Sequence, residues 1–358
     1  MLLDTAGLLG YFHCDEPFPA EAVGSNRFMD VETIFSGSDC FTSISRWHPR
    51  GWLHWATHPR KTFRALRHAP VSVRFIESAA PGTITRWTYD RDRLGDTLAI
   101  TFGSFQQLQS LVGRWRVLSD AIQTIGREDS GFTFHDVPID LGDGVGPSAP
   151  TNVLAFARST GSKAPLIPNP YLLRPRPWIL GPRRWERKND TLYFRGSTTG
   201  APTYDDNKRV ALCKLAKTLP RTDCRLSRLK QIDGDFAERL AKDDLVGWRH
   251  PLDILNRHRF LAEADGNTSS WDRYLLIGLF GGVPIRFETE WEECWHHLLV
   301  DGENCIVADR RSLPAILDRL RSRASQARAI AENASQLVRN HLSRQALRQR
   351  LRNALKPC

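Results

Sequence analysis

Apolar positions recur at short, nearly alternating intervals through Val71, Val73 and Phe75, then Ile84, Trp87 and Tyr89, then Leu98, Ile100 and Phe102. That spacing predicts half-buried strands between 71 and 102. From Phe105 the interval lengthens. Phe105, Leu108, Leu111, Trp115, Leu118, Ile122 and Ile125 return every three or four residues, which predicts an amphipathic helix. Phe132 to Leu141 reverts to strand-like alternation and ends in the glycine-rich loop 142–147. Prolines then recur between Pro165 and Pro182 too often for helix or interior strand. An inter-domain linker is therefore expected at 169–182, dividing the chain into 1–175 and 176–358.

The second half alternates between the two periods. Strands are expected at 192–195, 260–264, 283–287 and 305–308, and helices at 205–217 and 270–280. A long helix is expected from Leu313 to Leu342, and Ser343 can cap a last one carrying Leu347, Leu351 and Leu355. Strand and helix in turn favour a parallel sheet with crossover helices, hence an α/β fold.

Composition narrows the class. The chain has 358 residues, 41% of them apolar and 25% charged, a balance that buries ordinary cores and excludes disordered or collagen-like chains. Its net charge of +10 is not spread evenly. From Arg319 to Cys358, nine arginines and Lys356 face only Glu332, a local +9, so residues 1–318 carry +1. The excess describes terminal helices rather than a nucleic-acid groove, and no nucleic-acid partner is expected. Those arginines suit either an anionic membrane surface or a solvated helix face whose apolar stripe packs inward. The start of the chain lacks the positive region of a signal peptide, and no apolar run reaches the ~18 residues of a membrane span. A cytoplasmic protein, peripheral to the membrane at most, is expected. Seven cysteines are odd in number and too sparse for a disulfide framework.

Two strand-to-helix junctions have the composition of phosphate sites. In Tyr193-Phe194-Arg195-Gly196-Ser197-Thr198-Thr199-Gly200, glycines permit close backbone approach and hydroxyls offer donors, with Arg209 one turn into the next helix. No Gly-Lys-Ser/Thr follows, so this is not a nucleotide-hydrolysing loop. In Asp265-Gly266-Asn267-Thr268-Ser269-Ser270-Trp271, Ser269 or Ser270 can be an N-cap that leaves helix N–H groups for an anion. Each segment alone also reads as an ordinary turn or a capped crossover helix. Both fall at carboxyl ends of strands of one expected sheet, which makes a nucleotide diphosphate the better reading. Cys294, His296, His297 and Cys305 fit no zinc spacing, and no metal is expected. Trp47, Trp52 and Trp55, with His48, His54 and His58, suit either stacking on a sugar or an aromatic core corner.

Phe194 to Thr198, Arg209, Phe260 to Trp271, and Leu276 to Arg286 with Glu290-Trp291 together resemble glycosyltransferase family 90. That family includes protein O-glucosyl/xylosyltransferases, capsule-associated xylosyltransferases and lipopolysaccharide-modifying proteins. Ala327 to Asn333 and Asn340 to Ser343 are similar to its C-terminal helices. The resemblance runs from Gly131 to Ser343 and implies a GT-B architecture: two Rossmann-like domains facing a cleft, with C-terminal helices packing back. It implies inverting transfer of a sugar, glucose or xylose, from a UDP-sugar to a hydroxyl of a glycan, glycolipid or protein, without metal or other cofactor. Carried over by position, Arg209 meets the donor diphosphate and Arg273 is a second phosphate-binding arginine. Arg195, Gly196, Ser197 and Thr198 fall in the donor site with Asp265, Gly266, Asn267, Ser269, Ser270 and Trp271. The family's catalytic aspartate ends a first-domain strand, and Ile139-Asp140-Leu141-Gly142-Asp143-Gly144 fits with Asp143 as base. Leu298 to Cys305 departs from the family pattern and looks like other GT-B transferases. The alternative from another class is a catalytically silent scaffold of this architecture that binds anionic membrane or nucleic acid through Arg319 to Arg352.

Overall fold

The computed structural model describes residues 72–77, 83–90, 93–94, 97–102, 105–175 and 181–356. The Trp/His cluster of 47–58 and the acidic stretch after Tyr11 lie outside the described residues, as do Cys14, Cys40 and Cys358.

In the first half, strand β1 (Ser72–Glu77) pairs in parallel with β4 (Thr97–Phe102). Strand β2 (Ile84–Asp90) lies antiparallel between β3 (Arg93–Leu94) and β5 (Phe134–Asp140). Helix α1 (Phe105–Glu128) buries Leu111, Trp115, Leu118, Ile122 and Ile125 of the predicted stripe in one core with Trp87 and Tyr89 of β2. Burying each of these large side chains contributes roughly 1.5–3 kcal/mol. Two short elements follow, β6 (Arg158–Ser159) and α2 (Pro170–Leu173). Helix α2 corrects the expectation that prolines exclude helix here: Pro170 occupies the first turn, where no N–H is needed, and the Asn169 side chain accepts from Leu172 N–H.

The second half is a five-stranded parallel sheet. Its strands are β7 (Asn189–Ser197), β8 (Thr222–Arg228), β9 (His258–Ala264), β10 (Val283–Phe287) and β12 (Ile306–Ala308), in spatial order β12-β10-β9-β7-β8. The short β11 (Trp291–Glu292) instead pairs antiparallel with β6 of the first half. Val246 bridges Leu226 at the outer edge of β8. Counting that bridge as the third strand position gives the order 3-2-1-4-5-6 of doubly wound α/β folds. Crossovers are made by α3 (Lys208–Lys217), α4 (Gly234–Lys242) and α5 (Arg273–Leu279).

The helix expected over 313–342 is two helices, α6 (Leu313–Ser322) and α7 (Ala324–His341), broken at Arg323, whose ψ of 64° is not helical. Helix α8 (Arg344–Leu355) starts on Ser343 as expected, its Oγ accepting from Ala346 N–H. It then returns across the molecule. Leu347, Leu351 and Leu355 join the core of α1, while Arg348 pairs with Glu128 and Arg352 with Asp129 at the end of α1. With Arg321 on Asp190 and Arg328 on Glu186 and Glu332, four arginines of the basic terminus are thus paired within the chain. No helix among the described residues is long and apolar enough to cross a membrane.

Candidate functional site

The switch point of a 3-2-1-4-5-6 sheet lies between its first and fourth strands, here β7 and β9, and ligands bind outside the carboxyl ends there. Both candidate loops leave the sheet at that place, after Ser197 and after Ala264. Arg209, in the first turn of α3, ties them together. Its Nη1 donates to Ser197 O at 3.2 Å, Ser197 Oγ at 2.9 Å and Thr199 Oγ1 at 2.8 Å, and its Nε to Ala264 O at 3.2 Å. Gly266 makes this approach feasible, since a Cβ there would sit 2.6 Å from Arg209 Nη2 and 2.9 Å from Thr199 Oγ1. Gly200 N–H donates to Asn267 Oδ1 at 3.1 Å, closing the second link between the loops.

Arg273 opens α5 and donates to Arg195 O at the end of β7, at 2.5 Å. Among the described residues neither Arg209 nor Arg273 has a carboxylate partner; both guanidinium groups bond only to neutral oxygens. Burial, with the Arg273 charge nearby, pushes Arg209 down to about 10, and burial holds Arg273 below the ordinary arginine value. Two half-buried guanidinium groups with no carboxylate in hydrogen-bond reach, their charges only partly offset by Asp265 near Arg209 and by Asp272 and Glu263 near Arg273, leave donors for an anion at the switch point of a parallel sheet.

Other predicted donor residues face elsewhere. Arg195 pairs with Asp223 at 2.7 Å and reaches Trp248 O, so it holds β7 to β8 instead of facing the crevice. Thr198 is buried, donating to Lys230 O at 2.6 Å and accepting from Lys230 N–H at 2.7 Å. Gly196 packs on the Phe194 ring. Neither Ser269 nor Ser270 is an N-cap: α5 starts after Asp272 with no side-chain cap. Their hydroxyls turn inward, Ser269 to Glu293 and Ser270 to Glu263 at 2.9 Å. Asp265 is buried and braces its loop, accepting from Glu290 N–H at 2.7 Å, and burial pushes its carboxyl up to about 6. Trp271, at φ 58°, packs against Tyr171 with ring centroids 5.0 Å apart. Ser197, Arg209, Gly266, Asn267 and Arg273 are the predicted residues that the fold brings to one crevice.

The opposite wall carries Asp143. Asn267 Nδ2 donates to its Oδ2 at 3.0 Å, and Arg114 of α1 pairs with its Oδ1. Arg114 is itself buried and donates to Leu141 O at 2.7 Å. Each carboxylate oxygen of Asp143 keeps a further lone pair, and the side chain remains 36% exposed, enough to meet a ligand. Asp140 is buried, its Oδ1 accepting from Gly142 N–H at 2.7 Å, which shapes the turn that presents Asp143. Asp136 sits on the surface with Arg86.

Sequence reading missed two supports. Arg114 interrupts the apolar stripe of α1 between Leu111 and Trp115, a visible anomaly whose partner could not be named. Glu293 is 3% exposed and accepts hydrogen bonds from Ser269, Asn169 and Trp295 Nε1, binding the loop after β9, the first half and the β11 segment together. Burial pushes its carboxyl up to about 7.

No protein-family model matches the chain, and no curated protein matches it. Solved structures with partial similarity include Anabaena HepE in complex with UDP-glucose, 14% identical with a TM-score of 0.34. That match covers 46% of this chain and 48% of HepE, about half the length of each. A second, HepE with UDP and glucose, is 11% identical over 73% of this chain and 86% of that one, with a TM-score of 0.41. A third, the C-terminal domain of the group 1 glycosyl transferase LpcC from Francisella tularensis, is 12% identical over 45% of this chain and 94% of that one, with a TM-score of 0.31.

Proposed function

We propose that the chain is a GT-B glycosyltransferase that moves a sugar from a UDP-sugar to an acceptor hydroxyl, with inversion and without a metal. The observation that carries this reading is the pair of guanidinium groups without a hydrogen-bonded carboxylate, Arg209 and Arg273, at the switch point between β7 and β9. Facing the donor diphosphate, they would stabilise the charge that grows on the leaving phosphate, the role a metal ion otherwise fills. Asp143, on the other wall, would take the proton from the acceptor hydroxyl as its oxygen attacks the anomeric carbon and the bond to the diphosphate breaks. One base opposite one leaving group is the arrangement inversion requires. Glucose or xylose is the sugar that the family 90 resemblance suggests.

The test combines a binding screen with product stereochemistry. UDP and UDP-sugars should raise the unfolding midpoint more than GDP or CMP, in buffer containing EDTA. Proton NMR of the first product from UDP-glucose or UDP-xylose should show the β anomer. Equal stabilisation by all nucleotides, or an α product, contradicts the reading.

A further inference from the structure

A cavity of about 600 Å³ adjoins the crevice. Its volume lies within the ~300–1,000 Å³ of small-molecule sites. Resting on the donor reading above, we propose that it seats the acceptor and that the acceptor is a saccharide.

Two contacts make the cavity continuous with the candidate chemistry. Trp291 lines it and also abuts the residue after Asp143: a Cβ on Gly144 would sit 2.9 Å from Trp291 Cζ3. Glu290 lines it and also braces the donor loop, through its N–H to Asp265 and through Lys208, 2.9 Å from its carboxylate. The first half closes the far side with Arg158, Thr160 and Leu166. The cavity therefore spans both walls of the cleft, as an acceptor site must.

Charge decides the ligand class. In the donor crevice two guanidinium groups have no carboxylate in direct contact, whereas around this cavity each cation is paired with one. Arg158 pairs with Glu292 at 2.9 Å, Arg286 with the buried Glu263 at 2.7 Å, and Lys208 with Glu290. Glu293 has its three donors, and burial beside Arg286 keeps the His296 imidazole neutral. An anionic acceptor would meet no free cation. A lipid chain would find only Leu166, Trp291 and Cys294 as apolar wall. What remains is an indole beside carboxylates, an imidazole at His297 and the Thr160 hydroxyl. That is the chemistry that holds a sugar, with ring C–H groups on the indole and hydroxyls donated to carboxylates.

The test is saturation-transfer NMR on the full chain with saturating UDP. The probes are the methyl glycosides of glucose, galactose, mannose and N-acetylglucosamine, with maltose and lactose. Dodecanol and a serine-containing peptide serve as controls, and UDP affinity is measured by calorimetry on the same samples. At least one saccharide should bind, about tenfold more weakly to Trp291→Ala, the size of a lost aromatic contact. His297→Ala, a surface change that leaves the fold intact, should weaken it too, with UDP affinity unchanged in both. Saccharide binding indifferent to both substitutions overturns the proposal, as does a protein that binds UDP but only the dodecanol or peptide, or none of the probes. Saccharide binding lost in both variants, in a protein that ignores UDP, would uphold the cavity and remove the donor reading. Binding of neither UDP nor saccharide overturns both.

Discussion

Asn267, on the loop after β9, donates to Asp143 Oδ2 over 3.0 Å, although 124 residues separate them in the chain. This bond joins the two walls of the crevice at the point where the proposed base meets the proposed donor, so a change at Asp143 has to be read beside nucleotide affinity measured on the same variant.

Asp143→Asn keeps the shape of the side chain and loses the ability to take a proton. Sugar transfer should fall by about 10² to 10⁴, the usual cost of removing a general base, with UDP affinity nearly intact. Asp140→Asn and Asp136→Asn are the controls. Rates measured side by side should rank Asp143 far below Asp136; normal turnover in Asp143→Asn would remove it from the mechanism.

Arg114→Met keeps much of the side-chain volume in α1 and deletes the cation that orients Asp143. Turnover should drop more than UDP affinity, because the lost ion pair is to Asp143, while the guanidinium stacked on the Trp271 ring is replaced by an apolar side chain that can still pack there. Calorimetry and initial rates check this, and a parallel loss of UDP binding would mean that Arg114 acts on the donor loop.

Gly266→Ala should weaken UDP binding by about tenfold, roughly 1.4 kcal/mol. The new methyl displaces Arg209 from its seat between Ser197 and Thr199. The fold should survive, since the atoms in the way, Arg209 Nη2 and Thr199 Oγ1, are side-chain ends and not backbone. Unchanged UDP affinity in a folded variant would show that the Arg209 position does not matter.

Glu293 and Asp265 make stability depend on pH. Burial raises their folded values to about 7 and about 6, above ordinary carboxyl values, so the folded state holds more protons than the unfolded state in between. Their contribution to stability is therefore greatest at acid pH and is lost as pH rises from about 4 to about 7. Thermal midpoints across that window should show a downward component that flattens in Glu293→Gln. Identical pH profiles for the variant and the parent would contradict the assignment.

Much of the second half was legible because its central strands carry short apolar runs, Phe260 to Ala262 in β9 and Val283 to Ile285 in β10, and all five residues of β10 and six of seven in β9 are buried. Strand β8 was missed because, at the outer side of the sheet, it buries only Cys224 and Leu226 among polar neighbours. The crevice was found from its glycines and hydroxyls, yet the direction of those hydroxyls was not. Ser269, Ser270 and Thr198 turn inward because Glu293, Glu263 and the Lys230 backbone accept or donate there, and those partners are 7 to 32 residues away. Arg195 was drawn from the site by Asp223 on the neighbouring strand, a pairing set by sheet order. Composition locates a loop; only the register of its neighbours says which side chains it offers.

The most direct measurement is a calorimetric titration of UDP into the parent chain, Arg209→Ala and Arg273→Ala, in buffer containing EDTA. UDP should bind the parent selectively over GDP and CMP. Each substitution should weaken it by about 1.5–3 kcal/mol, the value of a hydrogen bond to a charged group. Equal UDP affinity in all three folded proteins, or no binding by the parent, would contradict a diphosphate site at the β7–β9 switch point.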